Sequence, residues 1–231
     1  MTVSSLKANL TDVRSRIERA AARVGRDAGD IKLVAVSKTH RAQVVNDAID
    51  AGVTVFGENK VQEAESKIFE VGRTRAEWHL IGHLQSNKAR KAVQLFDVIQ
   101  SLDSLELARR LERICDEDGR DQLSVFVQVD LAGETTKSGI SESEVTELVE
   151  YLKTCRHLKF DGLMLLPPFF ENEEDVRPYF KRLREIRDRV LPGGELSMGM
   201  SHDFEIAIEE GATVVRVGTA IFGDRGLRQS V

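Results

Sequence analysis

Lys38 ends the apolar run Val34-Ala35-Val36-Ser37-Lys38-Thr39, and it is the residue whose chemistry stands out first. Side chains alternate along an extended strand, so Val34, Val36 and Lys38 share one face while Leu33, Ala35 and Ser37 share the other. An amine on the side of two buried valines is poorly solvated. Desolvation favours its neutral form, a nucleophile toward carbonyl carbon, so the placement suits Schiff-base chemistry with an aldehyde. The same spacing fits a lysine that merely ends a strand and points to water. Arg216 is the second such residue, standing inside the apolar strand Thr213-Val214-Val215-Arg216-Val217. With Val215 and Val217 turned toward helices, Arg216 faces the interior, where burial requires an acceptor. That acceptor is either a carboxylate, Asp130 or Glu58, or an atom of a ligand.

Two loops add a third property. Ser197-Met198-Gly199-Met200-Ser201 and Gly218-Thr219 bring hydroxyls, small residues and backbone N–H groups to places where helices begin, which is how phosphate is held. A lysine, a buried arginine and a phosphate cradle together suit a ligand with an aldehyde, a ring acceptor and a phosphate. Pyridoxal 5′-phosphate carries all three.

These residues must be positioned by regular elements, and the hydrophobic pattern supplies them. Leu6, Leu10, Val13, Ile17, Ala20 and Val24 recur at spacings of three and four, predicting an amphipathic helix over about residues 5–25. After it, β-rich runs alternate with helical ones through eight rounds, the strands centred on 33–37, 54–56, 78–81, 98–101, 125–131, 162–166, 196–198 and 213–217. Asp103 with Glu106 and Ser141 with Glu144 have capping-box spacing at two helix starts. So even an alternation predicts an α/β fold, a single (β/α)₈ barrel over residues 1–231 with an extra N-terminal helix. Active sites of such barrels lie at the C-terminal strand ends, where Lys38, Asn59, Gly82, Ser197, Ser201, Gly218 and Thr219 collect.

Composition narrows the partners. Of the 231 residues, 41% are hydrophobic and 31% charged, with a net charge of −5 and no basic tract, so nucleic acid is not an expected partner. No apolar run reaches membrane-spanning length and the first ten residues lack signal-peptide character, so a cytoplasmic protein that makes no membrane contact is expected. Cys115 and Cys155 have no CxxC partner and read as structural thiols. His79 and His83, four apart on a strand with no third ligand, read as a barrel-wall residue and its neighbour rather than a zinc pair, with His79 neutral.

The chain resembles the pyridoxal phosphate homeostasis proteins, the proline synthase co-transcribed family, which look like the barrel half of alanine racemase. The motifs are Ala35-Val36-Ser37-Lys38, Gly57-Glu58-Asn59, Trp78-His79-Leu80-Ile81-Gly82, Thr136-Lys137-Ser138-Gly139, Gly162-Leu163-Met164, Ser197-Met198-Gly199-Met200-Ser201 with Asp203, and Arg216-Val217-Gly218. The resemblance implies that Lys38 holds pyridoxal 5′-phosphate as an internal aldimine and that Arg216 lies beside the pyridine nitrogen. It also implies that Ser197, Ser201, Gly218 and Thr219 hold the phosphate, with Asn59, His79 and Met164 completing the cofactor site. Glu58 or Asn59 would orient Lys38 or the ring hydroxyl, and Lys137 would be either a second acceptor of the aldehyde or an exposed lysine.

An arginine donor keeps the ring nitrogen unprotonated and weakens the ring as an electron sink. Racemases of this kind also need a tyrosine acid/base from a further β domain, whereas the sequence stops at Val231 and its tyrosines, Tyr151 and Tyr179, fall in helices. The expected function is therefore a monomeric, non-catalytic carrier in pyridoxal phosphate homeostasis, with apo-forms of cofactor-dependent enzymes as transient partners. The alternatives are a racemase-like enzyme acting on small amino acids and a phosphosugar aldolase.

Overall fold

The computed structural model describes residues 3–133 and 138–223. Lys137 lies outside the described residues. The barrel strands are β1 (Lys32–Val36), β2 (Val55–Glu58), β3 (Glu77–Leu80), β4 (Val98–Leu102), β5 (Leu123–Asp130), β7 (Leu158–Leu165), β8 (Glu195–Ser197) and β9 (Val214–Val217). Each pairs in parallel with the next, β4 pairs with β5, and β9 returns to β1, so the sheet closes. β6 (Ile140–Ser141) is a two-residue addition on the edge of β5 that the eight-strand reading did not contain.

Closure divides the apolar side chains into two sets by strand parity. Val34, Val55, Val98, Phe126, Met164 and Val214 form a cluster inside the barrel, while Ala35, Phe56, Ile99, Val215 and Val217 belong to the larger core between strands and helices. Val34 and Val214 lie opposite Ala35, Val215 and Val217, as their alternation predicts, and closure turns the first two to the interior.

Outside run α2 (Ala42–Asp50), α3 (Val61–Val71), α4 (Ala89–Leu95), α5 (Leu105–Asp118), α6 (Glu142–Thr154), α7 (Arg177–Val190), α8 (Phe204–Glu209) and α9 (Thr219–Phe222). The last is a single turn, too short to cover its strand. α1 (Val3–Arg23) packs beside α8, α9 and α2 and completes the outer layer there, burying Leu6, Leu10, Val13, Ile17 and Ala20. Asn9 donates to the carbonyl of Ile221 at 2.9 Å and Arg23 pairs with Glu209 at 2.7 Å across the same contact. Val24 follows the helix end and is exposed.

The two expected helix starts differ in outcome. Ser141 caps α6 as its spacing predicts, its N–H and hydroxyl both donating to Glu144. At α5 the cap is Ser104, whose Oγ accepts from Leu107 N at 3.2 Å, and Asp103 instead takes His83 Nδ1 at 2.9 Å. A hydroxyl one residue later reaches the first free N–H groups, and the carboxylate is left for the rim.

Candidate functional site

β1 ends at Val36, and Lys38 opens the turn that follows it, half-buried at the C-terminal rim. The turn is held from behind the strand. Lys67, buried on the inner face of α3, donates to Ser37 O at 2.7 Å, to Glu58 Oε1 at 2.6 Å and to Glu63 Oε1 at 3.1 Å. Ser37 Oγ donates to the same Glu58 oxygen at 2.6 Å. Glu63 also accepts from the N–H of Thr39, whose φ of 70° is unusual for a β-branched residue and needs such an anchor. Both neighbours of Lys38 are thus fixed by one buried ionic cluster.

Glu58 is correspondingly displaced from its expected roles. It lies in the layer between β2 and α3, bound to Lys67 and Ser37 rather than to Arg216, and it acts on the Lys38 turn through Ser37. Burial pushes its carboxyl up against the opposing pull of Lys67, and among the described residues its Oε2 has no hydrogen-bond partner. Asn59, next along β2, is half-buried at the rim, where its backbone lies so close to Gly82 that a Cβ there would collide with it.

Arg216 faces the interior and is 2% exposed. Among the described residues its hydrogen-bond partners are Ser197 Oγ at 2.6 Å and Leu165 O at 2.8 Å, both uncharged. Asp130 is occupied in its own loop, accepting from Ala132 N and Gly133 N. Burial pulls the guanidinium down to about 10, with Asp203 opposing, so it stays charged at neutral pH. Met164 lies directly in the interior cluster below the rim.

The loops after β8 and β9 meet as expected. Gly218 N and Ala220 N both donate to Ser201 Oγ, at 3.1 and 3.4 Å, so two backbone donors converge on one hydroxyl whose proton is left to donate outward. Thr219 is exposed beside it. Gly199 shapes the first loop: its φ is 91°, and a Cβ would sit 2.8 Å from Phe204 Cα. Asp203 closes the loop by accepting from Met200 N at 2.6 Å. Ser197 departs from this group. Its hydroxyl is fully buried against Arg216 and Gln100, because β8 ends with that side chain turned inward, and it is placed with the arginine rather than with Ser201.

His79 is 1% exposed inside the barrel, held between Glu77 and Gln100, and its burial lowers its pKa so that the ring is neutral. It connects toward the rim through Gln100, Ser197 and Arg216. His83 is exposed past the end of β3. Cys115 and Cys155 are free, and burial pushes both thiols up to about 11.

Gln100 and Lys67 were missed on sequence. Each carried the signal that revealed Arg216, a polar residue within an apolar pattern: Gln100 stands two residues after the interior Val98 in the strand Val98–Leu102, and Lys67 joins the stripe Val61, Ala64, Ile68 and Val71.

Residues 8–226 match the alanine racemase N-terminal domain family. The chain is 43% identical over 223 residues to the pyridoxal phosphate homeostasis protein of Aquifex aeolicus, covering 94% of this chain and 96% of that one. It is 41% identical over 228 residues to the protein of the same name from Escherichia coli K12, with coverages of 94% and 95%. Among solved structures it superimposes on PipY of Synechococcus elongatus with PLP bound, at a TM-score of 0.83 and 37% identity, covering 94% of this chain and all of that one. Alanine racemase of Corynebacterium glutamicum shares the fold, with a TM-score of 0.70 at 16% identity over 64% of its length.

Proposed function

The chain belongs to the family of pyridoxal phosphate homeostasis proteins, built on the alanine racemase N-terminal domain, and on that premise we propose that it binds pyridoxal 5′-phosphate at the C-terminal rim and carries it for transfer to apo-enzymes. The observation that carries the reading is Arg216, a buried, permanently donating cation with neutral partners, facing the same interior as the strand that ends at Lys38. A buried cation so placed fits a ring acceptor. The convergent donors around Ser201 and the exposed hydroxyl of Thr219 fit a phosphate.

When bound, the cofactor would supply an aldehyde at the rim, a group that the Lys38 amine is suited to hold as a Schiff base. Lys67, Glu58 and Glu63 hold the Lys38 turn. Arg216 would donate toward the ring nitrogen and, remaining protonated, would keep that nitrogen an acceptor, which disfavours carbanion chemistry. Asn59 and Met164 would line the cofactor site, and Ser201, Gly218 and Thr219 would hold the phosphate.

A carrier rather than an enzyme is favoured by where the tyrosines lie. Tyr151 in α6 and Tyr179 in α7 are in the outer layer, Tyr151 beneath Arg109, so neither offers a second acid or base to the barrel mouth. The reading includes a cytoplasmic monomer. Among the described residues no helix is long and apolar enough to cross a membrane, and outer helices carry surface ion pairs such as Glu142–Arg182 and Glu150–Lys153.

The test is spectroscopic. The purified protein mixed with pyridoxal phosphate should develop a visible absorption band that borohydride fixes on Lys38 and that Lys38→Ala lacks, and the loaded protein should restore activity to an apo-enzyme. Rapid racemisation of alanine, lost in Lys38→Ala, would replace the carrier by an enzyme.

A further inference from the structure

Arg216 heads a hydrogen-bonded series that descends through the barrel and ends on a carboxylate. Its Nη1 donates to Ser197 Oγ at 2.6 Å, Ser197 Oγ to Gln100 Oε1 at 2.6 Å, Gln100 Nε2 to His79 Nδ1 at 2.6 Å, and His79 Nε2 to Glu77 Oε1 at 2.7 Å. One assignment of protons satisfies every member. A guanidinium only donates, so the serine oxygen accepts and its single proton passes on to the Gln100 carbonyl. The amide then presents its NH₂ to His79, whose Nδ1 must accept. That leaves the imidazole proton on Nε2, facing a carboxylate that only accepts. Every link points the same way.

The series therefore runs from a cation to an anion through three neutral groups aligned head to tail, the order in which each dipole strengthens the next. Arg216, Ser197, Gln100 and His79 are each at most 2% exposed. Glu77 stands at the other end of the barrel, in the wall of a cavity of about 800 Å³ that also contains Lys32 and Glu195, and Lys32 pairs with it at 3.1 Å. The arrangement is not a proton wire, since a carboxamide does not hand on protons. It transmits orientation and charge compensation. A carboxylate in contact with Arg216 would compete for its N–H groups, whereas a carboxylate four hydrogen bonds away stabilises the charge without occupying the face turned to the barrel mouth.

We infer that Ser197, Gln100 and His79, anchored by Glu77, are positioning residues that fix Arg216 as a donor and make the site select ligands presenting an unprotonated ring nitrogen. The selection rests on the function proposed above. The series itself is formed by the protein's own side chains.

The probes are pyridoxal phosphate and its carbocyclic analogue with C–H in place of the ring nitrogen. The parent protein should prefer pyridoxal phosphate by roughly tenfold or more, the worth of one hydrogen bond to a charged group. In Gln100→Met and in Ser197→Ala the preference should fall to about threefold or less, with both ligands still forming the visible band. Glu77→Gln, altered at the accessible end where folding is least at risk, should lose part of the preference. An undiminished preference in both Gln100→Met and Ser197→Ala overturns the inference. Imidazole nitrogen shifts of ligand-free protein separate this from the function itself: His79 should be the Nε2–H tautomer in the parent and lose that uniqueness in Gln100→Met. An Nδ1–H tautomer in the parent refutes the series even if the cofactor binds. A parent that forms no visible band with pyridoxal phosphate, yet shows the Nε2–H tautomer, strikes the proposed function and with it the ligand selection.

Discussion

Lys67 Nζ donates to the carbonyl oxygen of Ser37 at 2.7 Å, gripping from outside the barrel wall the residue that precedes Lys38 at its rim. The same ammonium binds Glu58 and Glu63, and Glu63 holds the N–H of Thr39, so the turn bearing the nucleophile is clamped on both sides by groups that never enter the site.

Removing one member of a buried ionic cluster leaves the others uncompensated, at a cost of about 3–5 kcal/mol. Lys67→Met should destabilise the fold by roughly that amount and slow the appearance of the visible band. Adding Glu58→Gln should recover part of the stability by removing the stranded charge. Urea unfolding of the two single variants and the double variant measures both effects. A Lys67→Met protein as stable as its parent, reacting at the parent rate, would show that the clamp is idle.

Acid should weaken the protein in two stages. Burial lowers the pKa of His79, so below the unfolded value of about 6.5 the unfolded chain takes up a proton that the folded one refuses, and stability falls with pH. Glu77, held at about 2 chiefly by the hydrogen bond from His79, contributes stability above its unfolded value of 4.5 that is lost as pH falls toward 2. Its side chain is 36% exposed, so this part is discounted for solvent screening to on the order of 1 kcal/mol. Melting temperatures between about pH 8 and pH 4 should decline in the parent and flatten at the upper end in His79→Gln. Equal slopes in the two proteins would remove His79 as the cause.

Ser201→Ala combined with Thr219→Ala should cut affinity for pyridoxal phosphate far more than for pyridoxal, while the visible band keeps its position. Each lost bond to the phosphate is worth about 1.5–3 kcal/mol, or roughly tenfold and more in affinity. Titration of both ligands into parent and variant reads the difference. Equal affinity of the parent for the two ligands would mean that no phosphate cradle operates.

What could be read in the sequence is what depends on local period. Alternation set Val34 on the face opposite Ala35 and Arg216 on the face opposite Val215 and Val217, and the repeated strand–helix rhythm specified the barrel, because which side chains share a face follows from their own strand whatever that strand pairs with. Residue type and placement singled out Lys38 and the loops around Ser201 and Gly218, and the family motifs implied their roles toward the cofactor. Partnerships were another matter. Nothing in Glu58 itself says that it pairs with Lys67 across α3 rather than with Arg216, nor in Ser197 that it turns down to Gln100 rather than up to the rim. Asp103 had capping-box spacing, yet the end of β4 placed it beside His83 and put Ser104 over Leu107 N. Such choices depend on the stagger between neighbouring strands and on the depth at which each strand stops. Those are set by packing all eight strands around one interior, so only the closed barrel decided which polar groups meet.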